Sequence, residues 1–270
     1  DRHDNDKKPL PPAKPKDKTK RKKESKTDPD SGWLNKGEKE HNFSYNSHAA
    51  CDRHGFILGQ VLKPSNMHDT QVFKEIFSEV NTRYKGFIEA TGLDAGYKTG
   101  PIIKAIADEK ILPLMPYKRT RANKGDFSNH KFLYDKDTDS YTCQNYETLV
   151  YKTTNRQGYK EYRCHQSICQ SCPLRHKCLS PKSKQRILRI SVFKDYIRFS
   201  EEIRKSDYGK EKYALRKQTI ERCFGDFKER HYGRFTYYRG LKKVSDHVSL
   251  AFACMNVKKM ALRLGERALK

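Results

Sequence analysis

The sequence predicts an α/β protein in which helices cover a mixed sheet, and three observations carry that prediction. Two β-prone runs, Phe43 to Cys51 and Phe56 to Leu62, flank the turn segment Asp52-Arg-His-Gly55 and read as a hairpin. After Asp69, the residues Val72, Phe73, Ile76, Phe77 and Val80 recur at helical spacing, so a helix returns the chain across that hairpin. Two short apolar strands then follow, Phe87 to Leu93 and Ile111 to Met115, separated by a helix from Pro101 to about Lys110 that Thr99 is placed to cap. Hairpin, helix, strand, helix, strand is the order of a mixed sheet covered by helices.

Composition narrows the function. Against 33 Asp and Glu the chain carries 57 Lys and Arg, a formal net charge of +24 over 270 residues. A field of that strength draws in polyanions. The 16 Tyr and 13 Phe favour nucleic acid over a membrane surface, because rings interleaved with cations stack on bases and pack along sugars. No apolar run approaches the ~18 residues needed to cross a bilayer, and the basic start has no apolar segment behind it. A cytoplasmic protein with no membrane partner, associated with the nucleoid when bound to DNA, is therefore expected. The first residue is Asp1, not Met, which leads to the expectation of a piece of a longer chain.

Residues 1–26 are rich in Pro and Lys, have little to bury, and read as a disordered basic linker. Thr27-Asp-Pro-Asp-Ser-Gly32 follows as a turn, in which Asp28 and Asp30 either serve the turn or bind a metal. Residues 27–117 form the first part of the core. Within it, Asp94 stands at the end of a strand and before Gly96, where open α/β sheets place their ligands; a turn-forming Asp is the competing reading.

From 118 to 185 the texture changes to short polar β-like pieces joined by Asp-, Asn- and Gly-rich turns, an inserted β-ribbon. It closes with Cys164, Cys169, Cys172 and Cys178, and Cys143 lies upstream as a spare. Four thiolates on short loops can enclose a structural zinc; an iron–sulfur cluster and plain buried or disulfide-capable cysteines are the alternatives.

Residues 186–270 return to the core: a strand from Arg186 to Val192, a helix from Tyr196 to Lys205, then Tyr213 to Lys228 as one helix with Tyr213, Ile220, Phe224 and Phe227 on its buried stripe. Glu221, Gly225 and Lys228 share a flank of that helix, which sets a carboxylate and an ammonium together; a solvated charge flank is the plainer reading. His231 to Lys243 interleaves cations and rings as a DNA-tracking surface would. Val244 to Leu264, apolar on opposite faces, is expected as a buried closing helix.

Asp94-Ala-Gly-Tyr97 and Tyr213-x2-Arg216-x4-Glu221-x6-Lys228, separated by an insertion, together resemble the DDE-type insertion-sequence transposases of the IS4-like group, in the branch with a cysteine cluster before the glutamate. Thr27-Asp-Pro-Asp-Ser-Gly, Pro64-Ser-Asn-Met-His-Asp69, Cys169-x2-Cys-Pro-Leu and Arg239-Gly-Leu-Lys-Lys-Val244 look like further landmarks of that family. The resemblance implies an RNase H-like fold, with Asp94 and Glu221 as the second and third catalytic, metal-binding carboxylates. It also implies that Tyr213, Arg216 and Lys228 contact DNA phosphates, although four residues stand between Arg216 and Glu221 where the usual signature has three. Mg2+ or Mn2+ is the implied cofactor, transposon terminal repeats and target DNA are the implied substrates, and a homodimer is the implied assembly on DNA.

The family's first carboxylate lies on a first strand that this sequence lacks; Asp28, Asp30, Asp52 and Asp69 are the substitutes in the chain. The expectation is therefore a transposase piece lacking its N-terminal region, inactive in this form. The alternatives are a non-catalytic nucleic-acid-binding relic or domesticated module on the same fold and, less closely, a cellular nuclease.

Overall fold

A computed structural model describes residues 2, 5–12, 23–38, 40–118 and 127–268. Half of the basic linker expected over 1–26, residues 1, 3–4 and 13–22, falls outside them. The chain divides into two compact units, one of residues 1–16 and 118–198, the other of 17–117 and 199–270.

The second unit begins with β1 (Gly32–Lys36), β2 (Glu40–Cys51) and β3 (Ile57–Pro64), an antiparallel sheet with β2 in the middle. Ser47 faces Leu62 and His48 faces Val61 across the hairpin. Side chains alternate between the faces of a strand, so neighbours Val61 and Leu62 serve two different cores. Val61 packs with Val72, Ile76 and Val80 of α1 (Asp69–Arg83). Leu62 packs with Cys223 and Phe227 of α7 (Ile220–Arg230) and with Val244, Val248, Phe252 and Met255 of α8 (Leu241–Ala268). One hairpin thus holds helices on both faces. Asn256 of α8 reinforces this by accepting from the Ile57 amide and donating to the Ile57 carbonyl, both at 2.9 Å.

After α1, β4 (Ala90–Gly92) runs parallel to β5 (Leu112–Leu114), with α2 (Gly100–Asp108) between them. The first strand is shorter than its apolar sequence suggests. Gly86 adopts a positive φ of 83° and the Phe87 amide turns back to the Tyr84 carbonyl, so the chain is still turning where the strand was expected to start. Thr99 stands at the N-cap of α2 without a side-chain cap bond.

In the other unit, β6 (Leu133–Asp135), β7 (Ser140–Thr142), β8 (Thr148–Thr154), β9 (Tyr159–Arg163) and β10 (Ile187–Ser191) make a five-stranded antiparallel sheet in the order β10-β9-β8-β7-β6. The strand at 187–191 therefore completes the ribbon's sheet, where the sequence reading had sent it back to the other core. Short helices α3 (Gln166–Ser171) and α4 (Arg175–Cys178) cap this unit, and Phe132, Tyr141, Leu149, Tyr162 and Leu188 fill its core with Cys164 and Cys169.

Two helical expectations change. The segment 213–228 is not one helix: α6 (Asp207–Ala214) gives way to a single tight turn at Leu215–Lys217, and Thr219 leaves helical geometry at φ −112°, ψ −96° before α7 begins. Thr219 is buried, and its amide and hydroxyl both donate to the Leu215 carbonyl, at 3.0 and 2.8 Å. The closing helix is buried on one face only: Val248, Phe252 and Met255 are covered, whereas Leu250 and Val257 remain 65% and 60% exposed. Among the described residues no helix is long and apolar enough to cross a membrane.

Phe227 is 5% exposed, and its ring lies 4.8 Å from that of Phe252, centroid to centroid. Gly233 follows it so closely that a Cβ there would sit 2.5 Å from the Phe227 ring. Phe227→Ala is expected to cost about 3–5 kcal/mol in urea unfolding. A loss under about 1 kcal/mol would show that α7 is not held by this core.

Candidate active site

A cavity of about 1860 Å³ opens within the second unit. Its walls include successive residues of β2 from Asn42 to Cys51 and of the β4 segment from Glu89 to Asp94, together with Glu221, Gly225 and Lys228 from α7. Among the described residues the Tyr45–Cys51 stretch of β2 pairs only with β3, and β4 pairs only with β5. The cleft therefore runs along strand residues that have a partner on one side only.

Asp94 sits just past the C-terminal end of β4. It caps a short turn of 3-10 helix, Ala95–Tyr97, by accepting the Ala95 amide at 2.6 Å. The turn-forming role of Asp94 is thus observed, and a turn-capping oxygen leaves the second carboxylate oxygen without a bond in the turn. Glu221 lies in the first turn of α7, exposed, and among the described residues it has no hydrogen-bond or ion partner. Lys228, also exposed, follows on the same flank.

Tyr213 and Arg216 behave otherwise than a single helix would have it. The Tyr213 hydroxyl donates to the Leu93 carbonyl at 3.3 Å, and Arg216 donates to that hydroxyl at 2.7 Å while its guanidinium lies 5.2 Å over the same ring. A Cβ on Gly92 would meet Arg216 Cδ at 3.4 Å. The pair brackets the strand end that carries Asp94.

The substitutes for a first carboxylate separate cleanly. Asp28 accepts from the Tyr45 hydroxyl at 2.9 Å and from the Gly240 amide at 3.1 Å; Asp30 accepts from the Leu241 amide, at the start of α8, at 2.9 Å. Carboxylates suit a helix N-terminus, where amides are unpaired. Asp52 closes the hairpin turn by accepting from the His54 and Phe56 amides, each at 2.8 Å. Asp69 alone of the four has no such structural bond among the described residues. It faces the cleft above the Asp94 turn, close enough that a Cβ on Gly96 would fall 2.1 Å from its Oδ2.

Beside Asp69 lie Tyr97, which closes the Asp94-Ala-Gly-Tyr97 motif but has no role assigned from sequence, and His48, which sequence reasoning passed over. His48 is 6% exposed, and burial lowers its pKa, so the ring is neutral; its Nδ1 lies 2.5 Å from the Tyr97 hydroxyl. Burial, then the charges of Asp69 and Asp94, raise the Tyr97 pKa, so the phenol keeps its proton and donates to His48. A polar residue between half-buried strand neighbours was the available signal for His48.

The base of α7 is tied to the hairpin by sulfur. The Cys223 thiol contacts the Gly55 carbonyl at 3.2 Å and Lys259 Nζ at 3.8 Å. A hydrogen bond with Cys51 lowers the Cys223 pKa to about 6 against the opposing effect of burial, with Lys259 helping.

The four cysteines expected to gather do so, and Cys143 joins them around one small cavity in the ribbon unit. Burial, followed by a hydrogen bond with Cys169, pushes the Cys164 thiol up to about 12. Among the described residues, however, no group of three or more His, Cys, Asp or Glu side chains stands ready to hold a metal.

Lys98, which follows the Asp94 turn, pairs with Glu201 of α5 (Lys194–Lys205) and donates to the Pro116 carbonyl at 2.7 Å. Burial raises the Glu201 pKa, but bonds from Lys98 and Arg204 outweigh it and the net shift is downward. A depressed folded-state pKa contributes stability above the unfolded value, and that contribution disappears as pH falls through the folded value. Glu201→Gln should therefore destabilise the protein at neutral pH, with the difference in urea midpoint shrinking below about pH 4. An equal difference at both pH values would contradict this pairing.

Residues 142–261 match the family model described as the transposase DDE domain. The matched span includes Tyr213, Arg216, Glu221, Lys228 and the ribbon cysteines, and it leaves out Asp94. This match supports a DDE transposase and suggests a function in transposition, through an enzyme family that acts on DNA and generally uses divalent metals such as Mg2+. No curated protein matches the chain, and neither does any solved structure.

Proposed function

We propose that the chain is the catalytic part of a DDE transposase with an RNase H-like core interrupted by a cysteine-bearing β-ribbon. It acts in the cytoplasm on transposon terminal repeats and target DNA. One observation carries the reading: Asp94 at a parallel strand end and Glu221 at the start of α7 line a single cleft with Lys228. The family match and the net charge of +24 agree with it.

Asp94 and Glu221 offer hard oxygen donors of the kind Mg2+ or Mn2+ takes. The donors fit in kind and fall short in number, because a three-carboxylate site is not assembled among the described residues. Bound there, divalent ions would supply an activated water or 3′-hydroxyl and stabilise the leaving oxygen of a phosphodiester. The chain's own residues do the positioning. Tyr213 and Arg216 fix the Leu93–Asp94 strand end, Asp69 and the His48–Tyr97 pair flank the next turn, and Lys228 meets a phosphate.

The rings Tyr232, Phe235 and Tyr238, 68%, 75% and 49% exposed, rim the DNA path with Arg234 and Arg239. In this reading the missing first carboxylate arrives on an added strand lying between β2 and β4, where each has a free edge toward the cleft. The exposed Leu250 and Val257 of α8 offer a face to a second copy, which accords with a homodimer on DNA.

The incomplete carboxylate set favours a second reading, a nucleic-acid-binding module of the same fold that does not cut. Both readings require DNA binding. The 270-residue chain is expected to bind duplex DNA with a steep salt dependence, and Lys228→Ala to reduce the slope of log affinity against log salt by about one. Nicking with Mg2+ or Mn2+ should be negligible for the chain as it stands. It should appear when a strand bearing the further Asp is added, and vanish again in Asp94→Asn or Glu221→Gln. Binding indifferent to salt, or cleavage untouched by both substitutions, would overturn the transposase reading; no gain with the added strand would leave the binding module as the function.

A further inference from the structure

Two residues of the motif Asp94-Ala-Gly-Tyr97 are left without a function by the cleft chemistry, Gly96 and Tyr97, and His48 of β2 meets the second of them in space. His48 stands on the face of β2 that packs on α1, paired with Val61 and two positions before Ala50. That face is otherwise apolar. The imidazole is 6% exposed, and its Nδ1 accepts from the Tyr97 hydroxyl at 2.5 Å. Its Nε2 is left with the ring hydrogen and, buried, has no hydrogen-bond partner among the described residues. A buried N–H without an acceptor destabilises the fold, so volume alone does not account for a histidine at this position.

Tyr97 is the far end of the turn that Asp94 opens. Its amide donates to the Asp94 carbonyl at 3.1 Å, the Asp94 carboxylate takes the Ala95 amide at 2.6 Å, and the Lys98 amide closes on the Ala95 carbonyl at 3.3 Å. The Tyr97 ring meets His48 edge-on, 6.1 Å between centroids, and Phe73 of α1 at 6.2 Å. Within the turn, a Cβ on Gly96 would collide with Asp69 Oδ2, so glycine is what lets the turn lie against that carboxylate. The near end has its own tie, from the Tyr213 hydroxyl to the Leu93 carbonyl. Asp94 itself is exposed, and the bonds on either side of it set its place.

We propose that His48, acting through the Tyr97 hydroxyl, is a positioning residue for the Asp94 carboxylate. The imidazole anchors the phenol to β2, the middle strand of its sheet; the phenol pins the end of the turn; and the turn aims the carboxylate oxygen that the Ala95 amide does not take. A reacting group on a loop keeps its geometry only when hydrogen bonds behind it lock the loop, and the neutral imidazole supplies that lock here. Tyr97 thereby serves to aim the carboxylate, and Gly96 leaves room for the turn beside Asp69. The assignment rests on the reading of Asp94 as a working carboxylate of the cleft.

The test compares amide hydrogen exchange and iron(II)-directed hydroxyl-radical cleavage in the full chain and three variants. Tyr97→Phe keeps the ring against Phe73 and removes only the hydroxyl. It should speed exchange of the Tyr97 and Lys98 amides about tenfold, with the amides of α1 unchanged, and weaken the iron cut near 92–96. His48→Leu should repeat both effects, whereas His48→Gln, which keeps an acceptor, should restore both. Misfolding would move the α1 amides as well, which separates it from loss of the His48–Tyr97 bond. Exchange and cutting unchanged in Tyr97→Phe, or His48→Gln no better than His48→Leu, would overturn the inference. Absence of cutting in the unaltered chain would instead overturn the reading of the cleft, and the exchange comparison would still decide whether His48 holds the turn.

Discussion

The alternation of Val61 and Leu62 on β3 is the constraint on which the core-bearing unit depends. A strand must send neighbouring side chains to opposite faces, so a hairpin with apolar residues at both positions has to be covered twice. Helix α1 covers one face through Val72, Ile76 and Val80; α7 and α8 cover the other through Phe227, Val248 and Phe252. Because Cys223 and Phe227 are the buried points of α7, its opposite flank, with Glu221, Gly225 and Lys228, is left to line the cleft. The orientation of the glutamate thus follows from core packing several residues away.

The other half of the cleft is fixed by polar bonds. The Asp94 turn is held by the Tyr213–Leu93 and Lys98–Glu201 contacts, while Asp28 and Asp30 fasten the start of α8 and the end of the aromatic loop before it. The landmark Thr27-Asp-Pro-Asp-Ser-Gly therefore has a mechanical role. Its carboxylates satisfy amides at the mouth of a helix, where metal binding was one of two expectations.

The hairpin, α1 and the β4-α2-β5 crossover were legible because each depends on a local period that the chain itself prints. The break at Thr219 was not, since the apolar spacing from Tyr213 to Phe227 continues smoothly through it; the break lies in the backbone angles of one buried residue, which apolar spacing does not encode. The outer face of α8 was misread for a related reason: Leu250 and Val257 show apolarity, and apolarity does not reveal whether anything covers it. Cys143 was set aside as a spare because it is distant along the chain, and only the turn after β7 brings it to the other sulfurs. In the cleft, Asp94, Glu221 and Lys228 are singled out by the sequence as candidates, whereas the His48–Tyr97 pair exists only once β2 lies against the turn that follows β4.

The central claim is that Asp94 and Glu221 share one cation-accepting cleft. Iron(II)-directed hydroxyl-radical cleavage of the folded chain tests this most directly, because a bound ion cuts only the backbone around it. The account predicts paired cuts near 92–96 and 219–222, both suppressed by excess Mg2+ and both lost in Glu221→Gln. Cuts at one segment without the other, or a pattern unaffected by Mg2+, would contradict it.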